Sequence, residues 1–178
     1  MLAHLKRLFG LAEDKVKSLL DHPVVATILA TPWRDFAQPE WNNEHSVRDA
    51  LLAICRARED RSDGSYDKLL FAVGNNHAGT YCPVVLETLP VLEEVLRAGW
   101  AGPRRTVLDA LIDLLGSFGP EAGYEMFADA SGHHRPLAQV LRDRASNMLP
   151  LLSEIANGDD AVSASLALEL LDLLKLPQ

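Results

Sequence analysis

The chain has 178 residues, 48% of them apolar, enough for one domain with a substantial core. Its 17 basic and 25 acidic side chains give a net charge of −8, which opposes non-specific nucleic-acid binding because that depends on Lys and Arg neutralising phosphates. No apolar run approaches the ~18 residues of a membrane helix. Near the N-terminus, Lys6 and Arg7 precede an apolar run too short for a secretory signal, ended by Glu13 and Asp14.

Abundant Leu and Ala with few aromatics favour helix over strand. Leu5, Leu8, Phe9, Val16, Leu19 and Leu20 have helical spacing, and His22-Pro23 then starts a new helix through Val24, Val25, Ile28 and Leu29, with Asp21 placed to cap it. Thr31-Pro32 opens a short turn of helix at 33–36. A stronger helix is expected over 44–58, where Val47, Leu51, Ile54 and Cys55 form an i, i+4, i+7, i+8 stripe. Asp63-Gly64 marks a turn. Tyr66, Leu69, Leu70 and Val73 mark the next helix, ended by Gly74, and 75–83 reads as a polar loop.

Two similar units follow. The first runs Leu89-Pro90-Val91-Leu92, a turn at Gly99, then Ala110 to Leu115. The second runs Leu149-Pro150-Leu151-Leu152, a turn at Asn157-Gly158, then Glu169 to Leu174. This internal repeat of helix, short turn and helix is the pattern of a stacked solenoid. No strand-period alternation competes with it. A proline inside each first helix is expected to bend it. Between the units, 116–136 is an insertion rich in Gly and Pro, with a short helix expected over Glu121–Ala128. The bent first helix, together with Gly102-Pro103-Arg104-Arg105 before the second, resembles HEAT repeats. The resemblance implies an all-α fold, a right-handed α-solenoid (α-α superhelix) of HEAT-like hairpins. The whole chain is then a single domain, with an N-terminal helical cap over 1–43, hairpins over 44–115 and 137–176, and the inserted loop at 116–136.

Cys55 and Cys82 lie far apart without CxxC spacing, so no disulfide framework is implied and a reducing, cytoplasmic setting is expected. Asn75, Asn76, His77, Thr80 and Tyr81 concentrate hydrogen-bonding side chains between two apolar helices. They suit a recognition loop or a small-ligand pocket, and equally helix caps and turns. Adjacent His133 and His134 point different ways on any regular element and lack the spacing of a zinc site. Asp109 and Asp113, with Glu93 and Glu94, fit a wet helix face better than acid–base catalysis. Glu154, Asp159 and Asp160 make the C-terminal hairpin an acidic surface. Arg104-Arg105 and Arg142/Arg144 are the basic pairs available to a DNA-binding face. No serine-hydrolase, P-loop or dinucleotide motif is present, so no catalytic residue, cofactor or metal is expected.

The stretch from Tyr66 to Tyr81, followed by the Pro90 helix, resembles a group of small bacterial HEAT-like proteins of the toxin-immunity type. That resemblance implies a non-enzymatic protein-binding module, an immunity protein that neutralises a bacterial toxin. The acidic chain would attract a basic toxin domain, not nucleic acid or membrane. Contacts are expected at the 75–81 loop, the 116–136 insertion and the acidic C-terminal hairpin. The alternatives are an enzyme or small-ligand binder centred on His77, Tyr81 and Asn76, and a general interaction scaffold.

Overall fold

In a computed structural model, residues 22–59 and 62–175 are described and form a mainly α-helical fold with a few very short strands. Helix α1 (Pro23–Ala30) starts with His22 as its cap, the ring Nδ1 accepting from Val24 N–H at 3.3 Å. Asp21, expected in that role, lies outside the described residues, as does the helix expected before it. A 3-10 turn follows at Trp33–Asp35, and buried Trp33 donates from Nε1 to the Ile28 carbonyl at 2.8 Å.

Helix α2 (Ser46–Ile54) is shorter than its apolar stripe predicts, but Val47, Leu51, Ile54 and Cys55 are all buried. Burial of each large aliphatic side chain contributes roughly 1.5–3 kcal/mol. Asp63 and Gly64 (φ 65°) make the expected turn into α3 (Ser65–Val73); the Asp63 carboxylate accepts from Ser65 N–H at 2.8 Å.

The two predicted units form as helical hairpins. Helix α4 (Val85–Ala98) ends at left-handed Gly99 and returns as α5 (Ala101–Gly116). The Arg104 guanidinium donates to the Leu96 carbonyl at 3.2 and 3.3 Å, satisfying the C-terminal end of α4. In the second unit α6 (Leu137–Ala145), a 3-10 turn at Ser146–Met148 and α7 (Leu149–Ala156) follow without a break, before α8 (Ala161–Lys175). Pro150 therefore sits in the first turn of α7 and not within a helix, where its missing N–H costs nothing. Helix α1 contacts α2 and α4, α3 lies against α5, α5 against α8, and α4 against α6.

Pro90 does lie inside α4 and removes the N–H that would bond to the Leu86 carbonyl. Arg144 of α6 supplies a donor instead: its Nη1 reaches Leu86 O at 3.4 Å and the Glu87 carboxylate at 3.0 Å. One unit thus satisfies an acceptor that the other leaves open. Arg142 acts similarly, donating to the Leu115 carbonyl at 3.2 Å and to that of Leu173, so it joins the C-terminal ends of α5 and α8.

The expectation that the chain lacks strands is corrected at two places. Residues 74–83 form a hairpin, β1 (Gly74–Asn75) antiparallel to β2 (Thr80–Tyr81), and β2 also pairs in parallel with β3 (Gly119–Pro120). The helix expected over Glu121–Ala128 is replaced by a turn and β4 (Met126–Ala128), antiparallel to β5 (His134–Pro136). Gly123 at φ 88° leaves the helical region, and the Glu125 carboxylate takes its N–H at 3.1 Å. Strands this short carry no period-2 signal.

A Cβ on Gly74 would lie 1.9 Å from the Thr80 carbonyl oxygen. Gly74→Ala should cost about 2–4 kcal/mol in chemical denaturation, whereas Gly119→Ala, with open space around its Cβ, should stay within ~0.5 kcal/mol. Arg144→Met should destabilise by about 1–3 kcal/mol. Combined with Pro90→Ala, which restores the Leu86 donor, it should cost less by roughly 0.5–1 kcal/mol. Strict additivity in that double-mutant cycle would show that Arg144 does not compensate for the proline.

Candidate partner-binding face

The 74–81 hairpin is shaped by its own polar residues. Asn75 Oδ1 accepts from the N–H groups of His77 and Ala78, both at 3.1 Å, and Gly79 adopts φ 66°. Asn76 Nδ2 donates to Asp67 of α3 at 2.9 Å, fixing the tip. His77 is exposed, with its ring edge-on to Phe71 at 5.0 Å. Tyr81 is only 1% exposed and belongs to the core, where burial pushes its phenol up to about 12. The outward groups of this loop are therefore Asn76 and His77, while Tyr81 anchors it.

Thr80 donates its hydroxyl to the Glu121 carboxylate, and Glu121 N–H bonds to the Tyr81 carbonyl at 2.8 Å. Together with the β2–β3 pairing, these bonds bring the hairpin and the start of the 116–136 insertion onto one face. Two of the three contact regions expected from the sequence are thus adjacent.

The residue that organises this face is Trp41. Its side chain is 57% exposed, yet it is fixed by the indole Nε1 donating to the Phe71 carbonyl at 3.2 Å. Asn42 Nδ2 anchors the same segment to the Ala72 carbonyl at 2.7 Å. Three recesses meet at Trp41. A cleft of about 680 Å³ runs between α2 and α3, past Asp49, Arg56, Asp67 and Lys68. A pocket of about 260 Å³ is walled by Trp41, Phe71, Asn75 and His77. Another, of about 300 Å³, lies among Glu40, Trp41, Cys82, Glu121 and Tyr124. In the sequence, Trp41 could stack a nucleic-acid base or pack at a hairpin end, as could Trp33 and Trp100. The available signal was a tryptophan in a polar stretch, Pro39 to Asn43, outside any amphipathic stripe.

The other expected sites stand apart. His133 and His134 lie at the exposed β4–β5 hairpin, with the His133 ring 2.9 Å from the Ser131 hydroxyl. The Ser131 hydroxyl and the His133 N–H hold the nearby Asp129 carboxyl below its usual range. Among the described residues, no three His, Cys, Asp or Glu side chains gather as a metal site, and no helix is long and apolar enough to cross a membrane. Cys55 and Cys82 are free and buried, and burial raises their thiols to about 12 and about 11.

On the acidic C-terminal hairpin, Glu154 and Asp159 are exposed. Asp160 instead serves the fold. It accepts from Arg105 at 2.7 Å, from the Ser163 hydroxyl at 2.6 Å and from Val162 N–H at 3.3 Å, capping α8. Arg105 also binds Glu59 at 2.9 Å. The four arginines that could have faced DNA are all engaged within the protein, on carbonyls or carboxylates. Arg105 sits near the start of α5 and the β2–β3 contact lies beyond its end. Eleven residue steps, from Arg105 to Gly116, about 17 Å, therefore separate the Arg105–Asp160 pair from the β2–β3 end along α5.

Hydrogen bonds from Arg105 and Ser163 hold the Asp160 carboxyl well below the usual carboxylate range. A lowered folded-state pKa gives stability that is present above the unfolded value, ~3.9, and is lost as pH falls through the folded value. Asp160→Ala should therefore cost about 1–2 kcal/mol at pH 7, and its deficit against the parent chain should shrink below about pH 4. A deficit independent of pH would mean that Asp160 contributes through packing and not charge. No protein-family model matches this chain, and no curated protein and no solved structure matches it either.

Proposed function

We propose that the chain is a non-enzymatic protein-binding module, a cytoplasmic immunity-type protein that neutralises a bacterial toxin by covering its working surface. The observation that carries this reading is Trp41: a large aromatic side chain, exposed yet fixed by a backbone hydrogen bond, at the meeting point of three recesses. Rigid exposed aromatics are the side chains on which interface energy concentrates. A right-handed α-solenoid of HEAT-like hairpins is part of the proposal, supported by α5 lying between α3 and α8 while α4 meets α6. Stacks of this kind present broad, rigid binding surfaces. The resemblance of residues 66–81 and the Pro90 helix to small bacterial HEAT-like proteins supplies the immunity assignment.

A small-ligand site centred on His77, Tyr81 and Asn76 is less well supported, since Tyr81 is buried while His77 stands exposed at a loop tip. Glu154 and Asp159 would steer a basic partner at long range, and Asp160 is set aside because Arg105 occupies its carboxylate.

The test is recovery of a stoichiometric partner by affinity purification from the native cell, followed by binding measurements on the reconstituted pair. Trp41→Ala should weaken the pair by at least about 30-fold, in line with ~2 kcal/mol or more at a central aromatic. A Glu154→Gln, Asp159→Asn variant should mainly slow association and reduce its salt dependence. A partner bound equally well by the Trp41→Ala chain would remove this face from the interaction.

A further inference from the structure

The recesses on either side of Trp41 differ in chemistry. The pocket toward His77 is walled by aromatic rings and Asn75, without a charged carboxylate or ammonium. The other recess is lined by Glu40, Glu121, Tyr124 and Trp41, with buried Cys82 among its lining. No Lys or Arg lines it among the described residues. Arg56 and Lys68 line the separate α2–α3 cleft, where Arg56 Nε bonds to the Leu52 carbonyl at 3.1 Å and Lys68 Nζ to that of Asp63 at 3.3 Å.

Two features fix the acidic recess. Glu121 accepts from Thr80 and is tied through its N–H to Tyr81, so its carboxylate is held in place. Burial raises the Cys82 thiol in the recess wall, and the Glu121 charge adds to that rise. Trp41, also in the lining, has its indole N–H bonded to the Phe71 carbonyl. At about 300 Å³ the recess lies at the small end of the range for ligand pockets, a size for one side chain and not for a drug-sized molecule.

We propose that this recess receives one Arg or Lys side chain of a basic protein partner, its stem along Trp41 and Tyr124 and its cationic head between Glu40 and Glu121. The assignment rests on the protein-binding reading and specifies its central contact. Two carboxylates with no Lys or Arg beside them among the described residues favour a cation, and an indole in the lining can add a cation–π attraction. Arg suits the site better than Lys, because a planar guanidinium can stack on the ring while donating to both carboxylates.

The test needs no partner. Nα-acetyl-arginine methylamide and its uncharged counterpart, Nα-acetyl-citrulline methylamide, are titrated into the full chain up to about 50 mM, a range that detects weak millimolar contacts. The readout is the indole N–H resonance of Trp41, assigned by its loss in Trp41→Phe. The arginine derivative should shift that resonance saturably and leave those of Trp33 and Trp100 in place. The citrulline derivative should bind about tenfold more weakly. Glu40→Gln and Glu121→Gln should each weaken the arginine response several-fold; Gln at 121 keeps an acceptor for Thr80, and exposed Glu40 provides a substitution away from the β2–β3 contact. Equal response to the two derivatives, or no Trp41 shift with arginine, would overturn the proposal. If the purified partner still depended on Trp41 in that case, the protein-binding reading would stand and only the basic side chain would be lost.

Discussion

The stacking of the two helical hairpins depends on an acceptor that α4 cannot satisfy by itself. Pro90 opens the Leu86 carbonyl, and an open carbonyl excluded from water costs roughly 1–3 kcal/mol. Arg144 meets it from α6 while also pairing with Glu87 and lying 5.7 Å over the Phe127 ring. The same guanidinium therefore ties the first unit, the second unit and the inserted β4 strand together. Arg142 repeats the arrangement at the opposite helices through Leu115 and Leu173. Hydrophobic burial drives the helices together, but it is non-directional. These directional bonds select one register among the many that Leu-rich surfaces allow.

That register determines what the Trp41 face can be. Helix α5 ends in Ser117 and Phe118, both donating N–H to the Asp113 carbonyl, and the chain then passes directly into β3 beside β2. Glu121 follows two residues after Gly119 and enters the recess beside Trp41. The face is thus assembled from three separate stretches of sequence: the Pro39–Asn42 segment, the 74–81 hairpin and the beginning of the insertion. The first is anchored on α3 by Trp41 and Asn42, and the last by backbone pairing.

Much of the helical architecture was legible because it rests on local periodicity. The stripe Val47, Leu51, Ile54 and Cys55 and the repeated Leu-Pro hairpins are signals carried within a few turns of chain. The short strands were not legible, since two residues of β2 pair with a partner 39 positions away and have no alternation to display. The site was half legible. Asn75 to Tyr81 stood out by composition, yet composition could not tell exposed His77 from buried Tyr81. Asp160 looked like a steering charge because its counter-ion, Arg105, is 55 residues distant. Trp41 lacks a periodic context, and its importance arises only once Phe71 and Glu121 lie beside it.

The distribution of ion pairs has a consequence for colloidal behaviour. Asp63, Asp129, Asp143 and Asp160 are each held by hydrogen bonds that keep their carboxyls below the ordinary range, so they retain charge in mild acid. The net negative charge that keeps copies apart falls to zero near the isoelectric point of about 5.2. Repulsion between molecules is therefore lost at a higher pH than the bonds that maintain the fold. Mild acidification should therefore lower solubility before it unfolds the chain.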